Sequence, residues 1–239
     1  MSEPRLLVFG ATGYTGRYLV RDACQRGLSV VAHIRPGSPR AATVGAALVQ
    51  DGAELAEVGW TAAEIRQLVA RITPTHVFAL LGITRAGARK EAARTGSEPT
   101  YAQVDTGYTN WILDAVVSEA PKARVTYLSS LGADRASSNA YLQARHVVEQ
   151  RLQASALDFT IVRPSFISGQ DRDERRPAER VGSVLSNAAL SLVGVLEART
   201  LQQRYATVSG EELGRMLVTA ALEPTLSRQA VDMVTLRSL

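Results

Sequence analysis

Residues 10–17 read GATGYTGR, directly after the apolar run 5–9, RLLVF, and directly before Tyr18-Leu19-Val20. Three glycines close together suit a tight turn from a buried strand into a helix, because the backbone bends where a Cβ would collide. The first N–H groups of the helix are then unpaired and point outward, which makes its start an anion site. The spacing is G-x-x-G-x-x-G. It is a variant of the commoner G-x-G-x-x-G turn that cradles the phosphates of a dinucleotide, and it predicts Gly10, Thr12, Gly13, Tyr14, Thr15 and Gly16 as cofactor-binding residues.

The remainder of the chain agrees with that turn. Its 239 residues, 46% of them apolar, suffice for one domain with a full core. Short β-branched runs alternate with helical patterns. Strands are predicted at 6–9, 29–34, 47–50, 76–81, 125–129 and 159–163, and later at 205–208 and 231–236. Helices are predicted near 14–26, 61–71, 101–119, 139–155, 179–196 and 210–222, the last opened by the capping box Ser209-Gly210-Glu211-Glu212. This alternation predicts an α/β protein: a single domain over 1–239, with a doubly wound, mainly parallel sheet and helices on both faces. A small lid or substrate portion is expected from about 165 to 239, and the ligand belongs at the carboxyl ends of the strands.

Composition excludes several classes. The net charge of +4 is carried almost wholly by scattered arginines, Lys90 and Lys122 being the only lysines, and aromatic residues make up only 5%. A nucleic-acid surface would concentrate such charge in a stripe, so no nucleic-acid partner is expected. One cysteine, Cys24, allows neither an internal disulfide nor a cysteine-based metal site. No apolar run of membrane-spanning length occurs, and the start MSEPRLLVFG lacks the pattern of a signal peptide, so a cytoplasmic protein with no membrane partner is expected. It should act on a small molecule as a monomer or homodimer. Two stretches, 83–100 and 170–180, break the rhythm. The first reads as a loop at the ligand edge, the second either as a solvated connection or as a lid whose arginines face an anion.

The end of the second strand narrows the cofactor. A site for NAD places an acid there, on the ribose hydroxyls, whereas this strand ends His33-Ile34-Arg35-Pro36. The cofactor inferred is NADP(H), with the Arg35 guanidinium on the 2′-phosphate and Ser38 and Arg40 as candidate helpers. Asp51-Gly52, taken to follow the third strand, is expected at the adenine edge, and Leu81-Gly82, after the fourth, where backbone approaches the cofactor closely. Catalysis is sought at Ser129-Ser130, which end the fifth strand, and at Tyr141 and Arg145, spaced i and i+4 on the next helix.

These residues resemble the Ser/Tyr/Lys constellation of short-chain dehydrogenases. GATGYTGR, Leu81-Gly82-Ile83-Thr84-Arg85, Val104-Asp105 with Tyr108, the block LSSLGAD at 128–134, Ser137-Ser138-Asn139 before Tyr141-Leu142-Gln143, Arg163-Pro164, and Asp171-Arg172 through Arg176-Pro177 together look like one branch of that superfamily. It is the Tat-interacting-protein-like branch of the atypical short-chain dehydrogenases, with matches from residue 5 to about residue 180. The resemblance implies a Rossmann fold, bound NADP(H), no settled substrate, and backbone contacts to the nicotinamide side from Pro164-Ser165-Phe166. It also implies catalytic roles: Tyr141 as the acid/base, Ser130 orienting the substrate oxygen, and Arg145 clamping the nicotinamide ribose where the family has lysine. Arginine keeps the charge but cannot release a proton to a relay at neutral pH. Three functions remain open: an oxidoreductase of a small carbonyl or alcohol, a non-catalytic NADP(H)-binding regulator, and an epimerase or dehydratase of a nucleotide sugar.

The absence of a strand-end acid gives the first expected outcome. Calorimetry should show NADPH bound about tenfold or more tightly than NADH, about 1.4 kcal/mol or above, and Arg35→Asp should invert the order.

Overall fold

Leu6, Leu7, Val8 and Phe9 are all buried, with Leu6 and Val8 facing one apolar layer and Leu7 and Phe9 the other. A strand covered on both faces reads as an unbroken apolar run, and this is β1 (Arg5–Phe9). The computed structural model describes residues 3–38, 40–82, 92–93, 96, 100–168 and 205–239. From β1 the chain passes through α1 (Tyr14–Gln25), β2 (Ser29–Ile34), a π-helical turn (Ala41–Gly45) leading into α2 (Ala46–Gln50), β3 (Glu54–Glu57), α3 (Ala62–Ile72) and β4 (His76–Ala79). A second π-helical turn (Ala102–Tyr108) leads into α4 (Thr109–Glu119), followed by β5 (Arg124–Leu128), α5 (Ala140–Ala154), β6 (Asp158–Arg163) and β7 (Ile167–Ser168). The last elements are β8 (Val208–Ser209), α6 (Gly210–Leu222), a 3-10 turn (Pro224–Leu226), β9 (Gln229–Asp232) and α7 (Met233–Arg237).

Seven strands form one sheet in the order β3-β2-β1-β4-β5-β6-β9, and every pairing is parallel. Crossing over from strand to parallel strand takes a helix, so the sheet is covered on both faces. Helices α1 and α6 pack together on one face and α3 and α4 on the other. This is the doubly wound, Rossmann-like architecture the sequence predicts. All strands run the same way, so the segments after β1, β2, β3, β4, β5 and β6 emerge at one edge.

Local signals set the helix starts. The Thr61 hydroxyl accepts from Glu64 N at 3.2 Å, Asn139 Oδ1 accepts from Tyr141 N at 3.0 Å, and Ser209 Oγ accepts from Glu212 N at 3.0 Å, the predicted capping box. Three strand expectations are corrected. Residues 47–50 are helical, because of this short apolar run only Leu48 reaches the core while Val49 is exposed, a one-sided pattern that suits a single helical turn. The third strand instead comes later, as the polar edge strand β3, whose only buried residue is Ala56. Residues 231–236 split between β9 and α7, because the Asp232 carboxylate accepts from Val234 N and Thr235 N and starts a helix there. Of 205–208 only Val208 is in a strand; with Ser209 it forms β8, paired with β7 apart from the main sheet. The helix expected near 179–196, the segment 170–180 and most of the loop 83–100 lie outside the described residues.

Two glycines carry the packing of α1. A Cβ on Gly16 would stand 2.1 Å from the Gly10 carbonyl oxygen, and one on Gly214 of α6 would stand 2.7 Å from the Leu19 nitrogen. Both obstacles are backbone and cannot swing aside. Gly16→Ala and Gly214→Ala should each lower unfolding stability by roughly 1–3 kcal/mol in urea titrations, with unchanged m-values.

Candidate functional site

The turn after β1 has the geometry of an anion cradle. Gly10 adopts φ +88, which favours glycine, and a Cβ there would sit 3.0 Å from the Leu80 carbonyl group. Gly13 N donates to Gly10 O at 2.9 Å and is the N-cap of α1, with no side-chain acceptor over the first turn. Among the described residues no side chain caps the first turn of the helix, the kind of start at which an anion is held, and a side chain on Gly13 would press on Gly10 O at 3.0 Å. Thr15 is buried and Thr12 half-buried. The Tyr14 hydroxyl donates to Ser168 O at 3.0 Å and ties the turn to β7. A dinucleotide pyrophosphate fits these residues.

At the end of β2, His33 is buried and its Nε2–H donates to Val58 O at 2.8 Å. Its ring centroid lies 5.1 Å from that of Phe9 and 4.6 Å from that of Trp60. Burial pushes its pKa down to about 4, although the bond to Val58 works the other way. Arg35, half-buried, follows at the same edge; its carbonyl accepts from Ser38 N at 3.1 Å, and the Ser38 hydroxyl accepts from Arg40 N at 3.4 Å. The turn beyond β2 therefore holds all three residues expected near a 2′-phosphate.

Asp51 and Gly52 do not belong with them. They precede β3, at the amino edge of the sheet, where the Asp51 carboxylate faces Arg21 Nε at 3.4 Å. Reading a helical turn as the third strand displaced that strand's end. The segment that does leave the carboxyl end of β3 is Val58-Gly59-Trp60, and Trp60 stacks on Tyr108 with centroids 5.0 Å apart and planes 6° from parallel. Sequence reasoning missed Trp60. The signal available was a tryptophan immediately before the capping box Thr61 to Glu64.

Past β4, Leu81 is buried and Gly82 exposed. At the end of β5 the two serines part. Ser129 is buried, its Oγ–H donating to Glu149 Oε1 at 2.5 Å, and the same carboxylate accepts from Arg163 Nε at 2.9 Å and from its Nη2. Ser130 is left half-buried at the edge, its hydroxyl 3.4 Å from Leu131 O. The neighbouring exit of β6 is fixed to it, since Leu131 N donates to Pro164 O at 2.9 Å. Ser165 Oγ donates to Ala206 O at 2.5 Å, and Phe166 is one of the large apolar side chains left exposed among the described residues.

Tyr141 begins α5, half-buried, its ring edge-on to Tyr101 at 5.6 Å. Arg145, one turn on, is only 3% exposed. Its Nη1 donates to Leu128 O at 2.8 Å and to Tyr127 Oη at 3.3 Å, and its Nη2 lies 2.8 Å from Asp105 Oδ1. The expected ribose contact thus meets a guanidinium buried and engaged by protein groups. Burial opposes its charge, but Tyr127, Tyr141 and Asp105 together raise its pKa above the ordinary arginine value, so it stays protonated. Burial pushes the Tyr127 phenol up to about 12, with Arg145 acting in the opposite direction. Asp105, Tyr127 and Glu149 are the buried polar partners that the sequence reading did not assign to the site.

An open helix start on a glycine turn, at the carboxyl edge of a parallel sheet, defines a dinucleotide-binding α/β protein. The sequence profile of the NAD(P)H-binding family matches residues 10–191, and the chain belongs to that family. Protein FMP52, mitochondrial, is similar to it in two fungi. The Aspergillus fumigatus protein is 30% identical over 72% of this chain and 70% of its own, and the Coccidioides immitis protein 35% identical over 48% of this chain and 44% of its own. The latter match spans less than half of that relative's length. Among solved structures, AtPrR2 with NADP+ and (+)pinoresinol superposes with a TM-score of 0.63 at 14% identity, covering 97% of this chain and 70% of that one. A Bacillus halodurans protein assigned as an NAD-dependent epimerase/dehydratase gives 0.67 at 18%, covering 99% and 100%. At such identities the likeness is one of fold. Among the described residues no helix is long and apolar enough to cross a membrane, and no group of metal-binding side chains occurs.

The depressed His33 pKa sets a pH dependence. Above pH 6.5 the ring is neutral in folded and unfolded chains alike; as the pH falls towards 4 only the unfolded chain takes up the proton, so stability is lost over that window. Between pH 7 and 5 this amounts to about 2 kcal/mol, and urea titrations should find that His33→Asn loses about that much less than the parent.

Proposed function

We propose that this chain is an NADP(H)-dependent oxidoreductase of the atypical short-chain dehydrogenase type, reducing a small carbonyl or oxidising the corresponding alcohol. The placement within the Tat-interacting-protein-like branch is part of the proposal and rests on the motifs quoted above. The observation that carries the reading is the parting of the two serines. Ser129 is turned inward and consumed by Glu149, so that Ser130, past the end of β5 and two strands over from the glycine turn, and Tyr141, near the start of α5, are hydroxyls at the ligand edge.

When bound, the dinucleotide supplies or accepts a hydride. The backbone N–H groups at the start of α1 hold its pyrophosphate, and Arg35 selects the 2′-phosphate. Ser130 orients the substrate oxygen by a hydrogen bond, and Tyr141 delivers the phenolic proton to it during reduction or removes the alcohol proton during oxidation. Pro164, Ser165 and Phe166, fixed to the exit of β5 through Pro164 O, line the nicotinamide side. Leu81 and Gly82 bring backbone to the same edge. Arg145 contributes through the Tyr141 ring, its guanidinium 5.0 Å from that ring's centroid.

A second reading, a non-catalytic NADP(H)-binding regulator, is favoured by one feature: the cation one turn beyond Tyr141 is a buried arginine, unable to resupply a proton. The epimerase or dehydratase reading draws on the fold of the Bacillus halodurans neighbour and on no feature of this site. Cellular location is a separate proposal: a cytoplasmic protein is our expectation, whereas the fungal relatives are named mitochondrial.

NADPH oxidation followed across a panel of aldehydes and ketones tests the enzyme reading. With the carbonyl it identifies, Tyr141→Phe should lower kcat by about a hundredfold or more while leaving NADPH affinity within about threefold of the parent. Full activity in that variant would remove Tyr141 from the mechanism, and NADPH binding without turnover of any carbonyl would establish the regulator instead.

A further inference from the structure

The partner of Arg145 lies on a different element. Asp105 sits in the π-helical turn that leads into α4, a widened turn of the kind that brings one extra residue inward, and it is completely buried while its neighbour Gln103 is exposed. The pair is wedged against the end of β4: a Cβ on Gly82 would stand 2.4 Å from Arg145 Nη2 and 3.5 Å from Asp105 Oδ1. The contact between Nη2 and Oδ1 is at ion-pair distance but off the hydrogen-bonding line. Around the other side, Nη1 grips Leu128 O and Tyr127 Oη at the end of β5. One guanidinium therefore joins α5, the π-helical turn and two strand ends, all next to the helix position of Tyr141.

A buried charge is tolerated only where it is paired, so the carboxylate and the guanidinium hold each other in place. A lysine could not do this. Its ammonium is one point on a flexible stem, whereas the planar fork reaches a carbonyl, a phenol and a carboxylate in different directions.

We propose that Asp105 is a positioning residue. It draws the Arg145 guanidinium out of the cofactor site and, through that ion pair, fixes α5 against β4 and β5, so that Arg145 seats the acid Tyr141 and does not hold the nicotinamide ribose. The placement of Tyr141 rests on the oxidoreductase reading; the withdrawal of the guanidinium from the cofactor does not.

The test replaces both charges at once, Asp105→Leu with Arg145→Met, which keeps the volume similar and leaves neither member of the pair facing an empty partner position. Thermal melting, calorimetry with NADPH, and kcat and KM with the carbonyl from the panel are measured beside Tyr141→Phe. NADPH affinity within about threefold of the parent, with kcat lowered by about tenfold or more, is the expected result. A folded double variant that binds NADPH about tenfold or more weakly overturns the proposal, because the guanidinium then serves the ribose. An unchanged kcat, in a protein that Tyr141→Phe inactivates, overturns it too, because the pair then places nothing. Should the double variant fail to fold, Arg145→Lys keeps a charge opposite Asp105 and removes the fork: kcat lowered by about tenfold or more with NADPH affinity within about threefold is expected, and an unchanged kcat or NADPH bound about tenfold or more differently overturns the proposal. If the parent turns over no carbonyl, the oxidoreductase reading fails on its own account, and NADPH affinity alone decides whether Arg145 is outside the cofactor site.

Discussion

The Gly10 carbonyl oxygen lies where almost any side chain on Gly16 would have to be, and Gly10 itself is pressed against the Leu80 backbone. That three-way approach of β1, α1 and the exit of β4 sets the distance between the helix start and the sheet edge. Because α1 is drawn so close, its uncapped first turn opens at the carboxyl end of β1, where the parallel sheet gathers the other strand ends. Gly214 repeats the device on the far side of α1 and lets α6 close the layer against Leu19. A looser turn would separate the phosphate cradle from the strand ends gathered at the same edge.

The second half of the site is organised by one face of α5. Tyr141, Arg145 and Glu149 follow one another at intervals of four, so they stack along the helix on one side. The outermost is half-buried at the ligand edge, and the two behind it are buried and charged. Arg145 joins the helix to Asp105, Leu128 and Tyr127, and Glu149 joins it to Ser129 and Arg163. Buried ion pairs contribute little net stability, since desolvation consumes most of the attraction, but removing one partner is costly. Their effect here is geometric: helix and strand ends are locked in one relative position, with Ser130 as the neighbour of one anchor and Tyr141 one turn from another.

Much of this was legible beforehand, for local reasons. The glycine spacing, the apolar runs of the central strands and the capping box at Ser209 act within a few residues of themselves, and a linear reading recovers them. The parallel order of the sheet followed from the alternation of strand and helix. The third strand was misplaced because an edge strand carries little apolar signal: β3 buries only Ala56, while the more apolar 47–50 is one turn of helix. That single slip moved the expected adenine edge to Asp51 and Gly52 and hid Trp60.

The sequence by itself determined the fold class, the phosphate turn and the identities of Ser130 and Tyr141 as hydroxyls to consider, because each depends on residue type and short-range spacing. Only the tertiary structure decided that Ser129 turns inward onto Glu149 while Ser130 stays half-buried at the sheet edge, and that the arginine in the lysine position is paired inside the protein. Those outcomes depend on Asp105 and Glu149, 40 and 20 residues from Arg145 and Ser129 along the chain. A buried charge is settled by whatever lies across from it in space, and no periodicity or motif within α5 names that partner.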